Sequence, residues 1–433
     1  MERGIAIGAA ELAAWVRDSR IRSLSLLADL SDEQWLGPRL AIVNPPLWEI
    51  GHVAWFQEHW VLRGIGGARP LRPNADALYD SSAVPHSLRW DLPLPSRRET
   101  LAYAEAVHDR VLEKLARGEP GPALRYFVQL AVFHEDMHGE AFWYTRQTHG
   151  YPPPPCGAPA RSPQSALTAP PGDAHVAGGN FELGARPDEP FVFDNEKWAH
   201  ATPLEPFAIA RAPVTQGEFA AFVDDAGYQR RDLWCDAGWR WREAVGALAP
   251  VYWRQSAGGR FERRSFERWL PLEPDLPMLH VCWYEAQAYC RWAGRRLPTE
   301  AEWEAVASGH PIPPGTRTRR HPWGDEAPRP AHAALDGRLA GPAPIGAFPA
   351  GDSATGCRQL SGGVWEWTAS DFAPYPEFTP DPYRDYSQPW FHTHKVLRGG
   401  CFATRARLLR NTWRNFYPPD RRDVWAGFRT CAR

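Results

Sequence analysis

The run Phe133-His134-Glu135-Asp136-Met137-His138-Gly139-Glu140 sets two histidines four residues apart. On a helix that spacing puts both imidazoles on one face, where they can converge on a single ion. Two histidines do not complete a catalytic metal site, so a third ligand must come from a facing element. Trp48-Glu49-Ile50-Gly51-His52 offers one, because His52 lies among Trp48, Ile50, Val53 and Phe56. A polar ring on an apolar stripe is costly to bury without a partner. Gly51 would let another backbone or a ligand approach closely. His59 is a rival ligand on roughly the same face, although Glu58 and Trp60 beside it suit a helix end nearer solvent. Three imidazoles with open positions suit zinc, iron, nickel or copper, and the residues alone do not choose among them. Glu140 is placed to accept a hydrogen bond from a ligating ring and fix its tautomer.

Four helices must position these groups. Leu12, Trp15, Val16, Ile21, Leu24, Leu27 and Leu30 recur mostly every three or four residues and predict a first helix over about 10–35. The second opens with Asn44 as N-cap and Pro45 and Pro46 in its first turn, and runs to about Arg63. The third covers about 97–117 and stops at Gly118, and the fourth covers about 122–149 and stops at Gly150. Residues 1–150 therefore read as an all-α four-helix bundle. The connection 64–95 is long, as functional loops often are. Residues 151–172, with four consecutive prolines, form a linker or strap. From 173 to 433 the chain is α+β with much irregular structure. Strand-like runs fall at Phe207–Ala210 and Lys395–Arg398, and helices at 283–293 and 299–307, the latter with Thr299 as N-cap and Glu302 completing a capping box.

Composition sets outer limits. A net charge of −2 and the lack of a basic stripe argue against a nucleic-acid partner. No run approaches about 18 uninterrupted apolar residues, so no membrane span is expected. The first residues lack the apolar core of a signal peptide. The seven cysteines are odd in number and form no Cys-x-x-Cys pair, which predicts neither a zinc knuckle nor a disulfide framework and fits a reducing cytoplasm. The 22 tryptophans mostly fill core. Oligomeric state is not legible.

Several ordered motifs in the second half are distinctive: Gly178-Gly179-Asn180-Phe181, Pro213-Val214-Thr215-Gln216-Gly217-Glu218-Phe219, Arg296-Leu297-Pro298-Thr299-Glu300-Ala301-Glu302-Trp303-Glu304, Pro322-Trp323-Gly324-Asp325, Val364-Trp365-Glu366-Trp367, Leu397-Arg398-Gly399-Gly400 and Gly427-Phe428-Arg429. Together they resemble the formylglycine-generating-enzyme (sulfatase-modifying factor) domain, which has a C-type-lectin-like fold. The first half resembles the DinB-like bundle, which often holds a metal on three histidines. Their fusion resembles the sulfoxide synthases of ergothioneine and ovothiol biosynthesis over nearly the whole chain. His134, His138 and Glu140 match that family's His-x-x-x-His-x-Glu signature, and His52 matches its upstream iron ligand. The resemblance implies an oxidoreductase with iron(II) as cofactor, O2 as co-substrate and hercynine (Nα-trimethylhistidine) as a substrate attacked at imidazole C2. It also implies that Asn415, Phe416 and Tyr417, with Arg421 nearby, bind hercynine, the aromatic rings facing its trimethylammonium group.

Departures from the family pattern bear on the second substrate. Relatives that use γ-glutamylcysteine carry paired arginines in the loop after helix 2, and some carry an aspartate in the C-terminal motif. Here Ala83-Val84-Pro85-His86-Ser87-Leu88-Arg89-Trp90 has one arginine, and Tyr417 stands at the aspartate position. A glutamine of some members is Met137. The active-site tyrosine falls near Tyr375-Pro376-Glu377-Phe378, where an ungapped reading puts Phe378 on it and leaves Tyr375, or no tyrosine, to deliver a proton. A donor with two carboxylates and an ammonium would lack its charged partners. The pattern is most similar to selenoneine synthases, which implies a selenosugar donor, with Tyr79, Ser81, Ser82, His86 and Trp90 as hydroxyl-matching and platform groups. Cysteine-using ergothioneine synthases are the alternative. Two other classes compete. A formylglycine-generating oxidase needs two closely spaced cysteines near the C-terminus, whereas Cys401 and Cys431 are far apart. A non-catalytic, lectin-like binding module with a structural metal would show no O2 uptake.

Overall fold

The computed structural model describes residues 7–156, 168–310 and 318–433. The chain divides into two compact units, one of residues 1–156 with Asp188–Phe191, the other of 157–187 with 192–433. Of the expected linker 151–172, residues 157–167 lie outside the described residues. The four residues Asp188–Phe191, which the sequence places in the second domain, pack with the first: Phe191 stacks on Tyr126 at 5.3 Å and meets Phe133 edge-on at 4.9 Å.

The first unit is all-helical: α1 (Ala9–Ser25), α2 (Asp32–Leu36), α3 (Pro46–Gln57), α4 (Ala75–Tyr79), α5 (Arg97–Leu115) and α6 (Pro122–His149). The long helices α1, α3, α5 and α6 pack on one another as a four-helix bundle. The predicted helix 10–35 is two helices. Its apolar rhythm continues through the turn, where Leu26, Leu27 and Leu30 are all buried. Arg146 of α6 donates to the Leu26 carbonyl and pairs with Asp29, so the turn's polar groups find partners, and Ser31 and Gln34 start α2 with a capping box. Arg146 also donates to the carbonyl of Pro152 at 2.7 Å, tying the start of the proline strap to α6. The N-cap of α3 is Pro45, not Asn44, whose side chain instead accepts from Arg89 at 2.6 Å. Beyond Gln57 the helix widens into a π-helical turn, Glu58–Gly64.

One buried cluster ties the bundle together. Arg20 of α1 donates to Glu135 of α6, to Gln57 of α3 and to the Ala104 carbonyl of α5, and Gln57 donates to Glu135. A guanidinium with several fixed donors suits a point where four helices converge. Glu135 is fully buried and adjoins His134, so this staple also fixes the helix that carries the histidines.

The second unit is α+β. One four-stranded sheet runs in the order Asp173–Val176, Phe207–Ala210, Cys431–Ala432, Arg295–Arg296, and a second in the order Asn415–Tyr417, Lys395–Arg398, Trp365–Asp371, Ala426–Gly427. Both predicted strands are present. The two predicted helices are Trp283–Trp292 and Glu300–Ser308, the latter with Thr299 and Glu302 in the expected capping box. Two further helices, Gln216–Asp224 and Asp236–Val245, are short and were not among those expected from the sequence. The irregular backbone is held by buried arginines. Arg398 donates to the carbonyls of Asn411 and Trp413 and to Glu300 and Glu304, while Arg414 donates to the carbonyls of Asn195 and Ala373 and to Glu300. Loop carbonyls that no ladder satisfies thus find donors inside the protein. All seven cysteines are free thiols. Among the described residues no helix is long and apolar enough to cross a membrane.

Candidate metal centre

His52 of α3 and His134 and His138 of α6 converge, one nitrogen from each lying within 4.8 Å of the others. His52 Nε2 and His134 Nε2 are 3.2 Å apart. Two neutral rings that close with no ion between them would have lone pairs or protons facing each other. Burial, followed by the neighbouring histidines, pushes the pKa of both His52 and His134 well below the ordinary range. Both rings are therefore neutral, which is the ligating form.

The second nitrogens are committed elsewhere. His52 Nδ1 donates to the Tyr79 carbonyl at 2.7 Å, which turns its Nε2 lone pair inward. His138 Nδ1 donates to Glu49 Oε1 and does the same. The orienting carboxylate is thus Glu49 on α3 and not Glu140, which the sequence suggested. Glu49 is 1% exposed, and its Oε2 is buried with no hydrogen-bond partner. A buried carboxylate against this histidine cluster is matched by positive charge, and a divalent cation on the histidines would supply it. The residues present fit a metal ion.

Packing fixes the ring planes. Trp48 stacks on His52 at 4.8 Å and Phe56 on His134 at 3.7 Å. Gly51 matters because a Cβ there would stand 2.2 Å from the Tyr79 ring. Its absence lets Tyr79 lie against α3 and deliver its carbonyl to His52. His59 is not in the cluster. It lies in the π-helical turn with its ring against Trp55, away from the cluster that His52 joins. Among the described residues the three histidines are the cluster with metal-ligand geometry.

The loop residues lie around this unit's site in a different manner. Arg89 sits 3.8 Å over the Trp48 ring and donates to Asn44 Oδ1 and the Val84 carbonyl. His86 Nε2 bonds the Val43 carbonyl, and the Ser82 hydroxyl donates to Asp80. Tyr79 is fully buried. These groups shape the loop; Ser81 and Trp90 keep partial exposure, as does Met137 beside His138.

In the second unit, Asn415–Tyr417 pairs with the strand Lys395–Arg398. Asn415 Oδ1 accepts from the Phe416 amide, Phe416 stacks on Phe372 at 4.0 Å, and Arg421 lies over the Tyr417 ring while paired with Asp423. Tyr375 is 6% exposed. Its hydroxyl accepts from Arg398, Arg414 covers its ring at 4.2 Å, and burial raises its pKa well above the usual phenol value. Phe378 is half-buried against Phe391.

Residues 16–142 match the DinB superfamily and residues 159–433 the sulfatase-modifying factor enzyme 1-like domain. Over 97% of this chain and 94% of the relative, it is 40% identical to a hercynine oxygenase of Mycolicibacterium thermoresistibile. It is 38% identical to a hercynine oxygenase of Mycobacterium tuberculosis over 97% of this chain and 98% of that one.

This chain belongs to the ergothioneine sulfoxide synthase-like family.

A member of this family is an enzyme, an oxidoreductase, which removes the binding-module alternative. A formylglycine-generating enzyme of Thermomonospora curvata is 31% identical but matches only 63% of this chain. The structure also brings out what the residue pattern did not reveal. Glu49 and the Tyr79 carbonyl orient two of the three histidines, and the available signal was an acidic residue three positions before His52 in an otherwise apolar helix.

Proposed function

We propose that this sulfoxide synthase-like enzyme uses iron(II) and O2 to join a chalcogen donor to C2 of the hercynine imidazole, and that the donor is a selenosugar. The convergence of His52, His134 and His138, with two of the rings anchored through their other nitrogens, carries the first part. The hercynine oxygenases that resemble the chain over its full length support the substrate. Iron(II) held by these histidines would supply one-electron chemistry toward O2 and a Lewis-acidic seat for an imidazole.

The rest falls to the chain itself. Three uncharged ligands add no negative charge at the site, so an anionic chalcogen donor is less opposed than beside a carboxylate. Phe416 and Tyr417 offer aromatic faces to a trimethylammonium group, and Asn415 and Arg421 fix the strand that carries them. Tyr375 is the tyrosine of this segment; burial against Arg398 and Arg414 holds its hydroxyl protonated and makes it a reluctant proton donor, while Phe378 lines the same segment.

The donor assignment rests on charge. Within Ala83–Trp90 the one arginine, Arg89, is engaged with Trp48, Asn44 and Val84. A dicarboxylate donor would lose hydration there without gaining a free counter-charge, whereas a neutral hexosamine would not. Of the groups expected from the sequence, Tyr79 is buried, Ser82 and His86 are already hydrogen-bonded and the Trp90 N–H donates to the Gly37 carbonyl, which leaves the Ser81 hydroxyl and the Trp90 ring to meet a sugar. The test is competition among selenosugar, cysteine and γ-glutamylcysteine at equal concentration with iron(II), O2 and hercynine. The largest kcat/KM should belong to the selenosugar. A larger value for γ-glutamylcysteine would return the enzyme to ergothioneine synthesis.

A further inference from the structure

The residues 378–394 have little regular structure, two short 3-10 turns at Arg384–Tyr386 and Gln388–Trp390, yet they are held at several points by one short stretch of chain. Asp194 Oδ2 accepts from the Ser387 hydroxyl at 2.7 Å and from the Asp381 amide at 3.2 Å. Asn195 donates its side-chain amide to the Tyr386 carbonyl at 3.0 Å. Lys197 reaches both oxygens of Asp381, at 2.6 and 2.7 Å. Ser387, Asp194 and Asn195 are each at most 2% exposed. The same stretch is bound to the strand Asn415–Tyr417, because Arg414 donates to the Asn195 carbonyl at 2.7 Å.

The held segment meets that strand through its rings. Tyr386 lies 5.7 Å from Phe416, its hydroxyl accepts from Trp413 at 3.0 Å, and His394 is 5.9 Å from Phe416. Phe391, against Phe378 on one side, packs on Phe372 beneath Phe416. A segment without a ladder of its own holds such positions only through fixed partners, and buried hydrogen bonds to a carboxylate are among the stronger ones.

We propose that Asp194 and Lys197 are positioning residues that clamp the segment 378–394, so that Tyr386 and His394 stand beside Phe416 and complete an aromatic wall for a quaternary ammonium group. The inference rests on the reading of Asn415–Tyr417 as the hercynine-binding strand. It adds Tyr386 and His394 as residues facing the cation. It also places the control of substrate affinity in a clamp that touches no substrate.

The test is hercynine binding to the iron-loaded full-length enzyme by calorimetry, together with steady-state kinetics. Asp194→Ala should raise the hercynine Kd and KM about fivefold to tenfold while kcat changes less than twofold and iron content stays the same. Asp194→Asn keeps an acceptor for Ser387 and should restore most of the affinity. Ser387→Ala removes one hydroxyl and serves as the second variant should Asp194→Ala not fold. Phe416→Ala, measured alongside, separates two failures. If Phe416→Ala weakens binding while folded Asp194→Ala and Ser387→Ala do not, the clamp is overturned. If Phe416→Ala leaves the affinity unchanged, the substrate face itself is wrong and the clamp has nothing to position.

Discussion

Glu49 shows how a side chain that is not one of the three ligands can shape a metal centre. Its carboxylate accepts from His138 Nδ1 and thereby fixes which nitrogen faces the other two rings. Partners that hold a ligating imidazole are commonly worth about 10–100-fold in metal affinity. Glu49→Ala should therefore weaken iron(II) binding by about that factor in a folded protein, as read from metal titration. Unchanged affinity would show that packing alone orients His138. The histidines themselves were legible in the sequence because four-residue spacing on a helix and a polar residue in an apolar stripe are local signals. Glu49 was not read as their partner, since its role depends on a contact across two helices 89 positions apart in sequence. The expectation for Glu140 failed for the same reason, since sequence proximity to His138 does not decide which carboxylate a ring faces.

At the scale of elements, the site depends on α3 lying close to α4 and on the four-helix staple. Gly51→Ala would drive a methyl group into the Tyr79 ring at 2.2 Å. Overpacking of this kind costs about 1–3 kcal/mol. The ring must move, the Tyr79 carbonyl leaves His52 Nδ1, and both thermal stability and iron occupancy should fall together; a fall in stability with full occupancy would mean that the carbonyl is dispensable. Arg20→Met removes the cation from Glu135 and should cost about 3–5 kcal/mol, because it leaves a buried carboxylate unpaired. Chemical denaturation checks this, and a loss below about 1 kcal/mol would show that the staple is replaceable. Helix boundaries were less legible than helix identities. The leucine rhythm of 10–35 persists through a turn because burial, which sets the rhythm, continues where the helix stops. The helices Gln216–Asp224 and Asp236–Val245 carry too short an apolar pattern to stand out, although Thr215 and Glu218 form a capping box visible in retrospect.

At the scale of the whole molecule, the change from an all-helical first half to a mixed second half was legible from composition, because proline and glycine density tracks irregular backbone. The exchange of Asp188–Phe191 into the helical unit was not, since four residues carry no period of their own. The two units supply different chemistry: the bundle brings three imidazoles together, and the mixed unit offers aromatic faces on a strand stiffened by buried arginines. The central claim is that the three histidines hold one iron(II) on which hercynine-dependent O2 consumption rests. The direct measurement is iron content and O2 uptake, with and without hercynine, for the unaltered enzyme and for His52→Ala, His134→Ala and His138→Ala. The account predicts one iron per chain and hercynine-dependent uptake in the unaltered enzyme, and loss of both in each folded variant. Full iron occupancy and undiminished uptake in His52→Ala would contradict it.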